Sequence, residues 1–149
     1  MKAVLDSARA DFTSAIGRDG RNARALDMRG LVNTSSGDLD QAIADFAREM
    51  TIDPRLGRMR LADAYCSRGS SHHRAGNLDQ AISDYEKAIE LGASADGCDC
   101  QPEAPLAWIY YGRKQYDRSW DVVRRARAAK KWIDPELLEP LRKASGKPE

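Results

Sequence analysis

The chain has little of what would name a chemistry. Aromatic residues make up 7% of its 149 positions, and it holds three cysteines and two histidines. No run approaches the roughly 18 consecutive apolar residues that suggest a membrane-spanning helix. The opening MKAVLDSARADF has no apolar stretch and is interrupted by Asp6 and Arg9, so it does not read as a secretory leader. The sequence contains no Gly-rich phosphate loop, no H-E-x-x-H and no G-x-S-x-G. Cys66 and His73 are seven residues apart on one helical stretch, about 10 Å along an axis, too far for a nucleophile and its base. No enzymatic activity is expected, and no catalytic residue is assigned.

The cysteines and histidines do not make a metal site either. Structural zinc sites favour two to four residues between paired cysteines. Cys98-Asp99-Cys100 has one, and His72 and His73 point about 100° apart on a helix. Cys98 and Cys100 read as incidental residues of a flexible connection spanning 92–103. An odd cysteine count is no disulfide framework, and a reducing cytoplasm is the default location. No cofactor or metal is expected.

Charge is nearly balanced at +1 but unevenly spread. Residues 1–103 carry 13 basic and 17 acidic side chains, and residues 104–149 carry 11 and 6. Arg124, Arg127 and Lys131 fall at i, i+3 and i+7, flanked by Arg125 and Lys130, and Asp121 stands four before Arg125. A nucleic-acid surface would want a broader patch with stacking aromatics. A solvated outer face is the favoured reading, and RNA or an acidic protein the weaker one.

What the sequence does have is itself, twice. Residues 23–46 match residues 62–85 at 11 of 24 positions after a shift of 39. Self-similarity at this period marks stacked repeats. In each copy two helical segments flank a turn, Gly37-Asp38 or Gly76-Asn77. Apolar residues of the second segment recur at helical spacing: Leu39, Ala42, Ile43, Phe46, Met50 and Leu78, Ala81, Ile82, Tyr85, Ala88, Ile89. Gly30 and Gly69 stand twelve before Ala42 and Ala81, small residues that let two axes approach while Phe46 or Tyr85 fills the space beyond.

These residues resemble the tetratricopeptide repeats, helix–turn–helix units of 34 residues. Gly30, Gly69, Ala42, Ala81, Phe46, Tyr85, Ala88 and Pro54 stand at the family's places. Asn33 and His72 replace its usual tyrosine, Glu49 its small residue and Ala93 its closing proline. The five extra residues of the period, placed at 57–61, should lengthen the next helix by just over one turn. Ala8, Phe12 and Ala15 repeat the spacing of a second helix, so the chain opens halfway through a unit, and a leader already removed is compatible with that start. Ser119, Val123 and Ala126 mark another second helix within 116–126, Ile133-Asp134-Pro135 repeats Ile52-Asp53-Pro54, and 136–144 reads as a terminal helix.

The resemblance implies an all-α fold, a right-handed α-α superhelix of about three helix pairs plus a C-terminal capping helix. One array would fill residues 1–149: a half-repeat helix at 1–20, units at 23–56 and 62–95, a divergent unit at 104–134 and a cap at 135–146. It also implies an adaptor that binds a protein or peptide in the groove lined by the first helices. The family's groove positions fall on Arg24, Asp27, Leu31 and Thr34, then Asp63, Cys66, Ser70, His73 and Arg74, then Trp108 and Tyr111. A subclass of the family grips the C-terminal carboxylate of chaperones with Lys, Asn and Arg. Here those places hold Asp27, Leu31, Ser67 and Asp63, which would repel it. A basic or neutral peptide fits an acidic groove centre better. The alternative expectation is self-assembly through the open apolar edge of Val4, Leu5, Ala8 and Phe12. Finally, a carboxylate in a small packing slot should be partly buried, which is costly unless it is paired, so Glu49 should meet Arg60 or Arg68, or the five-residue insert should change the local packing.

Overall fold

The computed structural model describes residues 2–92 and 101–146. Among them are eight α-helices and no strand: α1 (Lys2–Arg18), α2 (Ala23–Ser36), α3 (Leu39–Met50), α4 (Pro54–Arg74), α5 (Leu78–Glu90), α6 (Glu103–Gly112), α7 (Tyr116–Ala128) and α8 (Pro135–Ser145). Local chemistry sets their ends. The Asn22 side chain accepts the Ala25 amide at 2.9 Å, and Asp53 accepts that of Leu56 at 3.1 Å with Pro54 as the first helical residue. Asp134 and Pro135 start α8 in the same way. These are the caps that orphaned first-turn amides require. Gly37 and Gly76 turn the chain between paired helices at φ of 82° and 79°, a left-handed conformation that glycine adopts without strain.

Each helix packs on the next in sequence, and the first helices α2 and α4 also touch. This is the quasi-one-dimensional contact pattern of a solenoid. The apolar core is accordingly a chain of local clusters: Ile16 with Ala25 and Leu26, Phe46 with Ala42, Leu61 and Ala64, and Ala62 with Ala88. The largest runs from Tyr85 on α5 through Leu106, Tyr110, Trp120 and Val123 to Leu137 and Leu141. The fully buried leucines of α8 close the array, and the Trp120 indole N–H donates to Ser145 Oγ at 3.0 Å.

Small residues set how closely the paired axes approach. A Cβ on Gly30 would collide with the Phe46 ring, and one on Gly69 would stand 3.0 Å from Tyr85 Cδ1. We expect Gly30→Ala to destabilise the chain by about 1–3 kcal/mol, the range for overpacking. Gly69→Ala should cost less, because alanine's better helix propensity, roughly 1 kcal/mol, offsets a milder contact. Urea unfolding of the two variants measures the difference, and equal losses would count against this packing account.

α4 is longer than the spacing suggests. It begins eight residues before Ala62, over two turns rather than just over one. Gly57 makes the extension possible, since any side chain there would strike the Met50 backbone.

The helix pairs are also held by a motif that apolar periodicity does not reveal. Arg29 on α2 grips Asp45 on α3 with both arms of its guanidinium, Nε to Oδ2 at 3.0 Å and Nη2 to Oδ1 at 2.6 Å. Arg68 on α4 grips Asp84 on α5 in the same way, at 2.9 and 2.7 Å. Both aspartates are only 3% exposed. Asn33 Nδ2 donates to Asp45 at 3.1 Å, and His72 stands 3.8 Å from Asp84. In the third pair the corresponding residues are Leu106 and Val122, both buried, with Tyr110 in the place of Asn33 and His72. The same space is filled by a charged fork twice and by hydrocarbon once.

Candidate binding groove

Five of the eleven groove residues share one depression. Thr34, Asp63, Cys66, Ser70 and Arg74 line a cleft of about 860 Å³ between the end of α2 and the second half of α4, together with Leu39 and serines 35, 36, 67 and 71. The wall is rich in hydroxyls because α2 and α4 present consecutive serines and threonines on this side. Several donate to carbonyls of their own helix: Thr34 Oγ1 to Gly30 at 2.9 Å, Ser36 Oγ to Val32 at 2.9 Å and Ser71 Oγ to Ser67 at 3.1 Å. A hydroxyl that donates backwards still offers lone pairs. The cleft is therefore richer in acceptors than in donors, and Arg74, whose Nη2 lies 3.4 Å from Ser71 Oγ, marks its cationic end.

The other six candidates are placed differently. Asp27 is buried, and its Oδ1 accepts from Arg60 Nε at 2.8 Å, so it does not stand in the open groove as an uncompensated charge. Arg24 and His73 are exposed and Leu31 is half-buried against the Phe46 cluster. Trp108 and Tyr111 are half-buried on the largest core cluster, with ring centroids 5.7 Å apart at 84°. The Trp108 indole N–H donates to Asp134 Oδ2 at 3.0 Å, the carboxylate that caps α8. Trp108 thus ties the last pair to the capping helix.

Several other expectations need correction. The cysteine count argues against disulfides, yet Cys66, half-buried in the cleft wall, is disulfide-bonded. The sequence's other cysteines, Cys98 and Cys100, lie outside the described residues, as does Ala93. The basic stripe breaks at its end: α7 stops at Ala128 and Lys130 has a φ of 55°, so Lys131 does not share a helical face with Arg124 and Arg127. Asp121 pairs with Arg124, three residues on, rather than with Arg125.

Glu49 does not find the expected arginine. It is fully buried, and neither carboxylate oxygen has a hydrogen-bond partner. Arg60 is spent on Asp27, and Arg68 on Asp84 and Asp40. Burial first, and then the nearby carboxylates Asp27 and Asp53, push its pKa up to about 7, with Arg60 pulling the other way. Tyr110 is raised to about 12 by burial and by donating its hydroxyl to Glu86 at 2.5 Å. That bond lies beside a second cavity of about 550 Å³ between α5 and α7. Among the described residues no cluster of three metal-ligating side chains occurs. No helix among them is long and apolar enough to cross a membrane.

Comparison with known proteins agrees with this architecture. Residues 5–56 and 62–92 each match the tetratricopeptide repeat. The chain belongs to the tetratricopeptide repeat family, as an all-α superhelix of that type. Among solved structures it is similar to the crystal structure of MamA protein, at 18% identity and a TM-score of 0.53, over 97% of this chain and 75% of that one. At that identity the likeness concerns the fold alone. No curated protein matches the chain. Repeats of this family mediate protein–protein interaction and assembly.

Proposed function

We infer that the chain is a non-catalytic adaptor that holds an extended peptide of a protein partner along its first helices. The observation that carries this reading is the cleft of about 860 Å³ that gathers Thr34, Asp63, Cys66, Ser70 and Arg74. Its acceptor-rich wall suits the N–H groups of an extended backbone and cationic side chains. Asp27 is neutralised by Arg60, and among the described residues no unpaired lysine or arginine clamp for a terminal carboxylate lines the wall beyond Arg74 at its end. A neutral to basic peptide fits better than the acidic tail that chaperone-binding relatives take.

The test is a peptide selection on the whole chain followed by affinity measurement on variants. Ser67 is exposed on the cleft wall, so Ser67→Arg should obstruct the cleft without disturbing the core. Selected peptides should lose roughly tenfold or more in affinity, about 1.4 kcal/mol or greater, while circular dichroism stays unchanged. Undiminished binding to Ser67→Arg would place the interaction elsewhere. Trp108→Ala is a poor probe, because it also releases Asp134 from its contact.

A further inference from the structure

Two junctions join the three full helix pairs, and the chain fills them differently. Residues of the third pair lie 38 positions after their counterparts in the second, as Leu106 does after Arg68 and Tyr110 after His72. Glu103 therefore stands in the place of Tyr65, and Arg125 in the place of Lys87. In the first junction the Tyr65 ring fills the space, with Lys87 Nζ 5.2 Å and Arg68 Cζ 5.5 Å from its centroid. In the second a carboxyl replaces the ring and a leucine the arginine. The helix that could cover the gap is also shorter there: α4 starts eleven residues before Tyr65, whereas α6 starts at Glu103 itself. The result is the cavity of about 550 Å³ between α5 and α7.

Charge is divided between the walls of this cavity. Glu86 and Glu90, at i and i+4, line the α5 side, and Arg118 and Arg125, at i and i+7, line the α7 side. Among the described residues neither arginine forms an ion pair with either glutamate. Arg118 lies over the Tyr110 ring at 5.6 Å, and Glu86 accepts the Tyr110 hydroxyl. Ile89, Leu106 and Val122 make the floor apolar. The connecting stretch 93–100 reads ASADGCDC, with two aspartates and no basic or aromatic side chain. It holds nothing that would neutralise the glutamate wall or replace the missing ring.

We propose that this cavity binds a free aromatic α-amino acid. The ligand's ring takes the place that Tyr65 fills in the first junction, on the apolar floor and against the Arg125 guanidinium. Its carboxylate meets the arginine wall and its ammonium group the glutamate wall, so one zwitterion satisfies charges that do not reach each other. The volume suits a small molecule, whose sites span roughly 300–1,000 Å³. Two turns of α-helix, about 10 Å across and 11 Å long, would overfill it. The cavity shares no lining residue with the cleft along α2 and α4, so the proposal is independent of the adaptor reading.

The test titrates L-phenylalanine into the isotope-labelled full chain and follows backbone amide shifts by NMR. Saturable shifts centred on α5 and α7 are expected. Phenethylamine lacks the carboxylate and phenylpropanoate lacks the amine, so each should bind roughly tenfold or more weakly. Glu90→Gln and Arg125→Gln alter exposed side chains, and each should weaken L-phenylalanine by a similar factor while circular dichroism stays unchanged. Glu103→Tyr gives the second junction the filling of the first and should abolish saturation. Absence of saturable shifts in the unmodified chain overturns the proposal. So does phenethylamine or phenylpropanoate binding as tightly as L-phenylalanine, which would mean that the two charged walls are not read together. Undiminished binding to both Glu90→Gln and Arg125→Gln, or loss of binding in Ser67→Arg, would put the ligand outside this cavity and overturn the assignment as well.

Discussion

Glu49→Gln stabilises the chain by about 3 kcal/mol above pH 7 and leaves it nearly unchanged at pH 4.5. In the folded chain the Glu49 pKa is raised from 4.5 to about 7, chiefly by burial. Every tenfold gain in proton affinity is about 1.4 kcal/mol. The folded state binds the proton more tightly than the unfolded chain does, so stability falls with rising pH wherever the two differ in protonation. Glu49's contribution is fully present below pH 4.5 and is lost as pH rises through about 7. Glutamine keeps the shape and removes the ionisation, so this segment of the stability–pH curve should flatten. Urea unfolding from pH 4 to 8 reads the effect directly, and parallel curves for the two proteins would show that Glu49 is not held neutral.

The reason a carboxyl can occupy this slot at all lies in the neighbouring helix. The equivalent places in the other two pairs hold Ala88 and Ala126, both buried. Only around Glu49 does the following first helix carry two extra turns, with Gly57 laid on the backbone of Glu49 and Met50. The extension walls off the carboxyl, and Asp27 takes the one guanidinium near enough to neutralise it.

How far the sequence foretold this structure follows from which signals are periodic. Gly30 with Ala42 and Phe46, and Gly69 with Ala81 and Tyr85, were legible because size alternates at fixed helical spacing. The turns at Gly37 and Gly76 were legible because backbone conformation restricts the residue there. The arginine–aspartate forks were not. Arg29 and Asp45 look like surface residues in an apolar pattern, although both recur identically as Arg68 and Asp84. Identical charges in two copies, flanked by core positions, were the signal that could have found them. The groove was half legible. Thr34, Asp63, Cys66, Ser70 and Arg74 converge, whereas Asp27 and Trp108 are occupied by Arg60 and Asp134. Hydrogen bonds between residues 26 or 33 apart leave no trace in local spacing. Pairing also hid the Cys66 disulfide, since spacing does not state which cysteines join.

The forks lead to the second large effect. Arg68→Leu should destabilise the chain by about 3–5 kcal/mol, because it leaves the Asp84 carboxylate buried without its partner. Asp84→Val should cost less: Arg68 is a quarter exposed and retains its contact with Asp40 at 2.5 Å. The double variant should recover most of the loss. It installs the leucine–valine pair that this same chain uses at Leu106 and Val122, and replacing a buried ion pair by well-packed hydrocarbon is often neutral or better. Asp40 bears no penalty from losing Arg68, since its side chain is already 82% exposed. A double-mutant cycle by urea unfolding should therefore show coupling of about 2 kcal/mol or more. Strict additivity of the two single losses would mean that the fork does not act as a unit. The chain's own third pair would then owe its apolar packing to Tyr110 and the helices around it, rather than to a simple exchange of charge for hydrocarbon.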